Sequence, residues 1–183
     1  MVSDVPTRPE IIRVEAAALR ARFDEFVVLL DDAVAAGASV GYLLPVPSPE
    51  TAAYWQGIAA ELETGRRVLL ACERDGRVVG TVQVALCAKP NGRHRADVEK
   101  LLVLRSAQRQ GIGAALMRAA EDVARACGRW LLLLDTRKDS EAETLYRRLG
   151  WTAFGDVADY ARDPDGTLAA CLFFVKRLEG LPA

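Results

Sequence analysis

Residues 101–116 read LLVLRSAQRQGIGAAL, and this stretch decides the fold. An apolar strand, Leu101-Leu102-Val103, runs into a polar loop and then through Gly111 and Gly113 into a segment with apolar residues at Ile112, Leu116, Ala119, Val123 and Cys127. Their spacing of three or four is the period of a helix. A strand that turns into a helix in this way exposes first-turn N–H groups that have no partner, and the helix dipole favours an anion there. Gly111 and Gly113 carry no Cβ, so a phosphate can approach the backbone. The stretch therefore reads either as a pyrophosphate cradle or as an ordinary glycine-rich turn before a helix, and a bare G-x-G favours the turn. Two other phosphate motifs fit it poorly. The pattern G-x-x-x-x-G-K-[ST] occurs nowhere in the chain, and G-x-G-x-x-G would need glycine where Leu116 stands. Asp135 at the end of the next strand would suit a ribose-binding acid, but the strands before the cradle read as a meander rather than half of a doubly wound sheet.

Upstream, residues 68–73 and 78–86 are β-rich runs flanking Asp75-Gly76, a strong hairpin signal. KPNGRH makes a second turn, and residues 95–104 form a third strand. On simple alternation, Asp97, Glu99 and Leu101 point one way and Val98, Lys100 and Leu102 the other. Before the meander, residues 11–14 read as a short strand and residues 16–36 as one amphipathic helix stopped by Gly37. A second helix runs from an N-cap at Ser48 to about Thr64. Downstream, the helix over 110–127 is closed by Gly128. Residues 130–134 form a continuous apolar run, as expected of a strand covered on both faces and ending in Asp135. A helix over 140–149 and two late strands, 151–154 and 171–175, flank a DPDG turn. The fold class is α+β (α/β), a mixed, mostly antiparallel central sheet flanked by helices.

The chain has 183 residues with 51% hydrophobic and 27% charged, the balance of a single globular domain. The 24 Lys+Arg against 25 Asp+Glu give no basic excess for nucleic acid. No apolar stretch is long enough to span a bilayer, and the first residues lack the layout of a signal peptide. A cytoplasmic protein that binds neither nucleic acid nor membrane is expected. Four scattered cysteines form no C-x-x-C pair, and His94 is the one histidine. Zinc and dithiol sites, and triads of the serine or cysteine type, are therefore not expected, nor is any other metal site. His94 itself reads as a solvent-facing turn residue.

Gln108-Arg109-Gln110-Gly111-Ile112-Gly113 resembles the Q/R-x-x-G-x-G/A pyrophosphate loop of the GNAT superfamily of acetyl-CoA-dependent N-acetyltransferases. Downstream, the segment from Asp139 through Ala142, Leu145 and Tyr146 to Gly150-Trp151 resembles that family's N-x-x-A-x-x-L-Y…G-F/W segment, with Asp139 where Asn is usual. The resemblance spans residues 68–175 as the core and 11–65 as a variable acceptor-side region of one domain, 1–183. GASVGYLLPV, CAKPNGRHRADVEKLLVL, LLLLDT and DPDG further resemble the tabtoxin-resistance branch, which acetylates a β-lactam amino-acid toxin.

The resemblance implies roles. Backbone N–H groups of Leu101, Leu102 and Val103 would hold the thioester. The loop from Gln108 to Gly113, with Ala114 in the first helical turn, would hold the pyrophosphate, with Asp139 and Tyr146 also at the cofactor. Tyr146 would be the general acid, protonated at neutral pH by its ordinary pKa of about 10. Asp97 would be the general base, with Glu99 on the same face and Asp135 across the groove. From the residues alone, Asp97 and Glu99 read equally as a solvated strand face paired with Arg95 or Lys100, and Asp135 as a cap of the following turn. Tyr42, Trp55 and Tyr160 are candidate walls of an acceptor pocket. The expected activity is direct transfer of acetyl from acetyl-CoA to a small-molecule primary amine, in a monomer or homodimer. A non-catalytic acyl-CoA sensor and a protein N-terminal acetyltransferase are the alternatives.

Overall fold

Asp75 and Gly76 both take positive φ, 51° and 73°, the pair of left-handed positions that a type I′ turn requires. The turn folds β2 (Arg67–Arg74) back on β3 (Arg77–Leu86). β1 (Glu10–Val14) pairs antiparallel outside β2, and β4 (Arg95–Val103) pairs antiparallel with β3. The chain then crosses through α4 (Ile112–Ala126) to β5 (Leu131–Arg137), which runs parallel to β4. The closing hairpin places β7 (Leu168–Arg177) antiparallel beside β5 and β6 (Thr152–Arg162) at the edge. The sheet order is thus β1-β2-β3-β4-β5-β7-β6, mixed but mostly antiparallel. This computed structural model describes residues 10–46 and 48–180. The capping role read for the Ser48 side chain lies outside the described residues.

Both faces of the sheet are covered where strands alternate apolar side chains. On one face, α4 lays Ile112, Leu116, Met117 and Ala120 over Leu70, Val82, Val84 and Val98. On the other, Leu69, Ala71 and Leu102 meet Leu19, Leu29, Leu30 and Trp55, carried by α1 (Ala16–Ala21), α2 (Phe23–Ala35) and α3 (Ser48–Glu63). α5 (Glu141–Arg148) follows β5 and buries Tyr146.

Four expectations change. The helix predicted over 16–36 breaks at Arg22, whose φ/ψ of −117°/25° is not helical. The break aims its guanidinium at Glu25, Glu73 and the Gly76 carbonyl, pinning the β2–β3 turn to the helical layer. β5 does not end at Asp135 but runs to Arg137, and its two faces are unequally covered: Leu132 and Leu134 are buried while Leu131 and Leu133 are only partly buried. The late strands are longer than read because β6 gains its length as a paired edge strand, exposed along most of its course. His94 is half-buried and stacks on Trp130 at 4.8 Å rather than facing solvent. No helix among the described residues is long and apolar enough to cross a membrane.

Candidate active site

The site begins where two strands separate. β4 and β5 pair only through Arg95–Leu131, Ala96–Leu132 and Asp97–Leu133. Beyond those pairs, no ladder joins residues 98–103 to residues 134–137, although β3 still pairs with β4 and β7 with β5 on their far edges. Each strand therefore turns a row of backbone N–H and C=O groups into a slot, and such groups demand partners. Leu101, Leu102 and Val103 lie on one rim of it.

A β-bulge on β4 sets which side chains face where. Two steps on β3, Thr81 to Gln83, oppose three on β4, Leu102 to Glu99, and Lys100 sits at φ +50°. One extra residue reverses the alternation. Asp97 and Glu99 therefore share a face with buried Leu102, toward α3, whereas Leu101 turns to the α4 side and packs with that core. The expected grouping of Leu101 with Asp97 and Glu99 is corrected by the bulge.

At one end of the slot, the loop after β4 enters α4 through Gly111, held at φ +80° as the residue before the helix. A Cβ there would touch nothing within 4 Å, so backbone conformation and not space calls for glycine. Ala115 N–H makes the first helical bond, to Gly111 O at 3.0 Å. The N–H groups of Ile112, Gly113 and Ala114 thus have no partner within the helix. A Cβ at Gly113 would lie 3.3 Å from Leu145 Cδ2, so this glycine also lets α4 approach α5. Gln108 Nε2 donates to Val103 O at 3.1 Å, and Gln110 accepts from Arg74. Arg109 pairs with Glu141, joining this loop to the one that follows β5. In that second loop Asp139 is exposed, at φ +61°. Its N–H donates to Glu143 Oε2 at 2.9 Å while Ser140 Oγ accepts from Glu143 N–H at 3.2 Å, a reciprocal cap on α5. Ser140, not Asp135, caps the turn.

On the face of the slot toward α3, the charges of Glu99 and Asp135 both act on Asp97. Burial pushes the Asp97 carboxyl above the usual carboxylate range, and Glu99 and Asp135 push it further, against Arg95 and Arg67. Glu99 is held by neither Arg95 nor Lys100. Its carboxylate accepts from Arg67 Nη1 at 2.6 Å, and Arg67, only 11% exposed, also reaches Glu61 at 2.5 Å and Gln83 Oε1 at 2.8 Å. Tyr54 O–H donates to the same Gln83 oxygen at 2.9 Å. Asp135 Oδ2 accepts from Cys171 Sγ at 3.2 Å. Burial first, and then that carboxylate, push the thiol up to about 12, so Cys171 remains a protonated donor at neutral pH.

Tyr146 lies on the opposite side of the sheet, in the core under α4. It is 7% exposed, with its ring edge-on to Phe174 at 5.8 Å. Burial raises its phenol well above the ordinary value, and the Asp135 charge acts in the same direction. Among the candidate walls, Trp55 is fully buried against Phe26 at 5.2 Å and belongs to the core. Tyr42 lies edge-on to Tyr54 at 6.4 Å, and Tyr160, half exposed, is edge-on to Phe173 at 5.2 Å. Arg67, Gln83, Lys100 and Cys171 were not singled out from the sequence. Only Arg67 carried a signal, as a cation opening an otherwise apolar strand. No cluster of three or more His, Cys, Asp or Glu side chains arranged to hold a metal occurs among the described residues.

The family model described as "Acetyltransferase (GNAT) family" matches residues 42–151. The chain belongs to that family. It is 33% identical over 110 residues to an uncharacterized N-acetyltransferase of Azospirillum brasilense from the hisH-hisA intergenic region, a match covering 59% of this chain and 64% of the relative's length. In fold it is similar to yncA of Salmonella typhimurium, solved with acetyl-CoA, at a TM-score of 0.76 and 20% identity, with 97% and 98% of the two chains covered. A phosphinothricin acetyltransferase of Sinorhizobium meliloti in complex with AcCoA aligns at a TM-score of 0.74 and 17% identity, over 93% and 88%. A ribosomal-protein-alanine N-acetyltransferase of Brucella melitensis aligns at 0.75 and 22%, over 92% and 99%.

Proposed function

We propose that this member of the acetyltransferase (GNAT) family transfers an acetyl group from acetyl-CoA to the primary amine of a small molecule, directly and within a ternary complex. The observation that carries the reading is the parting of β4 from β5 beyond Asp97–Leu133, with a glycine-opened helix start at its end and three carboxylates on one face. The slot fits an extended amide-bearing arm, because its rims offer unpaired backbone donors and acceptors. The free N–H groups of Ile112, Gly113 and Ala114 suit the pyrophosphate. When bound, acetyl-CoA supplies a thioester carbon open to attack by an amine.

The chain's own residues do the rest. Backbone N–H groups from Leu101 to Val103 orient the carbonyl and stabilise negative charge developing on its oxygen. Asp97, with its raised carboxyl, takes a proton from the arriving ammonium. Asp135, steadied by the Cys171 thiol, holds that cation in place. Glu99, tied to Arg67, supplies charge that tunes Asp97. Tyr146 is kept protonated by its burial and donates to the departing sulfur. An acyl-CoA sensor would need the slot and the cradle but not these carboxylates, and their convergence favours catalysis.

Resemblance to the tabtoxin-resistance branch supports an amino-acid-like toxin or antibiotic as acceptor, and hence a resistance role. Four unbridged cysteines support a reducing, cytoplasmic setting. The test is thiol release from acetyl-CoA with a panel of small amines and N-terminal peptides. Turnover of small amines is expected. Turnover of peptides alone would replace the acceptor class, and binding of acetyl-CoA with no turnover of any amine would favour the sensor.

A further inference from the structure

Lys100 is a primary amine that the protein itself carries into the acceptor face. The bulge that turns Asp97 and Glu99 toward α3 holds Lys100 in the left-handed region, which is unusual and costly for a non-glycine residue. Its carbonyl accepts from Thr81 Oγ1 at 3.4 Å. Its side chain lies over the Tyr54 ring, with Nζ 5.4 Å from the centroid. On the loop between α2 and α3, a Cβ built on Gly41 would lie 4.0 Å from the same nitrogen. Lys138 is paired with Asp156 at 2.7 Å and Lys176 with Glu121 at 2.7 Å, but among the described residues no carboxylate forms an ion pair with Lys100. The charged groups that bear on it are Glu99 on its own strand, Asp135 on β5 and Arg67 on β2, with Tyr54 facing it from α3. Burial is the largest influence and lowers its ammonium below the ordinary lysine range, with Arg67 acting the same way. The two carboxylates oppose the shift.

We propose that Lys100 is a self-acetylation site: with acetyl-CoA bound and no acceptor present, its side-chain amine takes the acetyl group. This rests on the reading of the chain as an acetyl-CoA-dependent enzyme. Lys100 directly precedes Leu101, the first of the residues assigned to the thioester, its amine is held over Tyr54 on the side of the sheet that Glu99 faces, and the charges of Glu99 and Asp135 act on it. The ammonium first loses one proton to water. The neutral nitrogen attacks the thioester carbon, a C–N bond forms and the C–S bond breaks. The nitrogen's second departing proton ends on the CoA sulfur, by way of Tyr146. The products are an amide on Lys100 and free CoA thiol, with one proton released. The amide is uncharged and bulkier, so Glu99 and Asp135 lose a nearby cation and the space beside Tyr54 is filled. Self-acetylation therefore acts as a brake on the transfer to free amines.

The experiment incubates the full chain with acetyl-CoA alone and follows intact mass and peptide maps. One added acetyl group on Lys100 is expected, at a rate that saturates with acetyl-CoA and does not depend on protein concentration. Lys100→Arg and Lys100→Gln, checked by melting curves, should both lack it. Pulse labelling with acetic anhydride in the absence of CoA gives a readout apart from activity. Its pH midpoint at Lys100 is expected below the ordinary lysine range. An unmodified Lys100, a rate that rises without saturation, or equal acetylation of exposed Lys89 would overturn the proposal and leave Lys100 a fixed counter-ion. Calorimetry with acetyl-CoA separates two failures. A chain that binds it but leaves Lys100 free overturns this inference alone, and a chain that does not bind it overturns the functional reading as well.

Discussion

The proposed cofactor end and the proposed acceptor face of the slot are built in different ways. Around the cradle, the backbone is set by near neighbours in sequence: Gln108 bonds back to Val103, and Gly111 accepts the first bond of the helix it opens. The distant residues Arg74 and Glu141 meet only the side chains of Gln110 and Arg109. On the acceptor face, Glu99 answers to Arg67 and Glu61, Asp135 to Cys171, and Lys100 to Tyr54. These partners come from β2, β7 and α3. A site of the first kind is a local conformation, tolerant of change elsewhere. A site of the second kind is an electrostatic balance, in which a distant substitution changes the chemistry without touching the reacting groups.

Tyr146 is the proposed general acid, and removal of its hydroxyl should have the largest effect. Tyr146→Phe keeps the ring against Phe174 and Trp151 and removes the hydroxyl. General acid catalysis contributes ~10²–10⁴-fold, and a fall in kcat of that order is expected, with acetyl-CoA affinity unchanged by calorimetry. Wild-type turnover in this variant would remove Tyr146 from the mechanism and shift the proton donor to water.

Asp97→Asn should lower kcat/KM for the acceptor by roughly 10²-fold and leave the cofactor end intact. In the wild type, kcat/KM is expected to rise with pH through a midpoint above the usual carboxylate range, because burial and Glu99 hold the proton on Asp97. The variant should lack that limb. Stability should move the other way. The folded state binds this proton more tightly than the unfolded chain, so stability is lost as pH rises through the folded midpoint. At neutral pH the Asn variant is therefore expected to melt no lower than the wild type. A lower melting temperature together with an unchanged pH profile would make Asp97 a structural residue.

The same contrast explains what was legible in the sequence. The cradle could be read because helix period and Gly111 are local signals, and the Asp75-Gly76 hairpin for the same reason. The bulge at Lys100 left a trace in RADVEKLLVL, where the apolar positions Ala96 and Val98 lead to Lys100 and the polar positions Asp97 and Glu99 lead to Leu101; strict alternation passed over it, and the pairing of β4 with β3 reveals it. The break at Arg22 was hidden, because the guanidinium's partners Glu73 and Gly76 lie far along the chain. Asp97, Glu99 and Asp135 could be picked out as candidates, but Arg67 and Cys171, which bear on them, could not.

Gly111→Asp tests the local half. It brings a negative charge to the start of α4 and puts a side chain at φ +80°. Weakening of acetyl-CoA binding by about tenfold or more is expected, each factor of ten being worth about 1.4 kcal/mol. The pH limb assigned to Asp97 should stay where it is. Unchanged affinity in a folded variant would mean that the phosphates lie elsewhere.

The smallest effect expected is also the sharpest test of the distributed half. Arg67 touches neither the cradle nor, on this reading, the acceptor, but it holds Glu99 and Glu61 and lowers the carboxyl of Asp97. Arg67→Met keeps most of the apolar stem and removes the charge. Glu99 is then left uncompensated, and its charge together with the loss of the Arg67 cation should raise Asp97 further. Across a partly wet surface such a shift is on the order of half a pH unit. The acid limb of kcat/KM should therefore move to higher pH, costing a few-fold at neutral pH, with acetyl-CoA affinity unaffected. Some stability is lost as well, since Gln83 Oε1 gives up one of its two donors. The double variant Arg67→Met/Glu99→Gln separates the two consequences. If Arg67 acts through the charge on Glu99, the limb should return toward its wild-type position while the melting temperature stays low. If the limb does not move in the single variant, or moves and is not restored in the double, the acceptor face does not work as a balance of charges and its carboxylates act one by one.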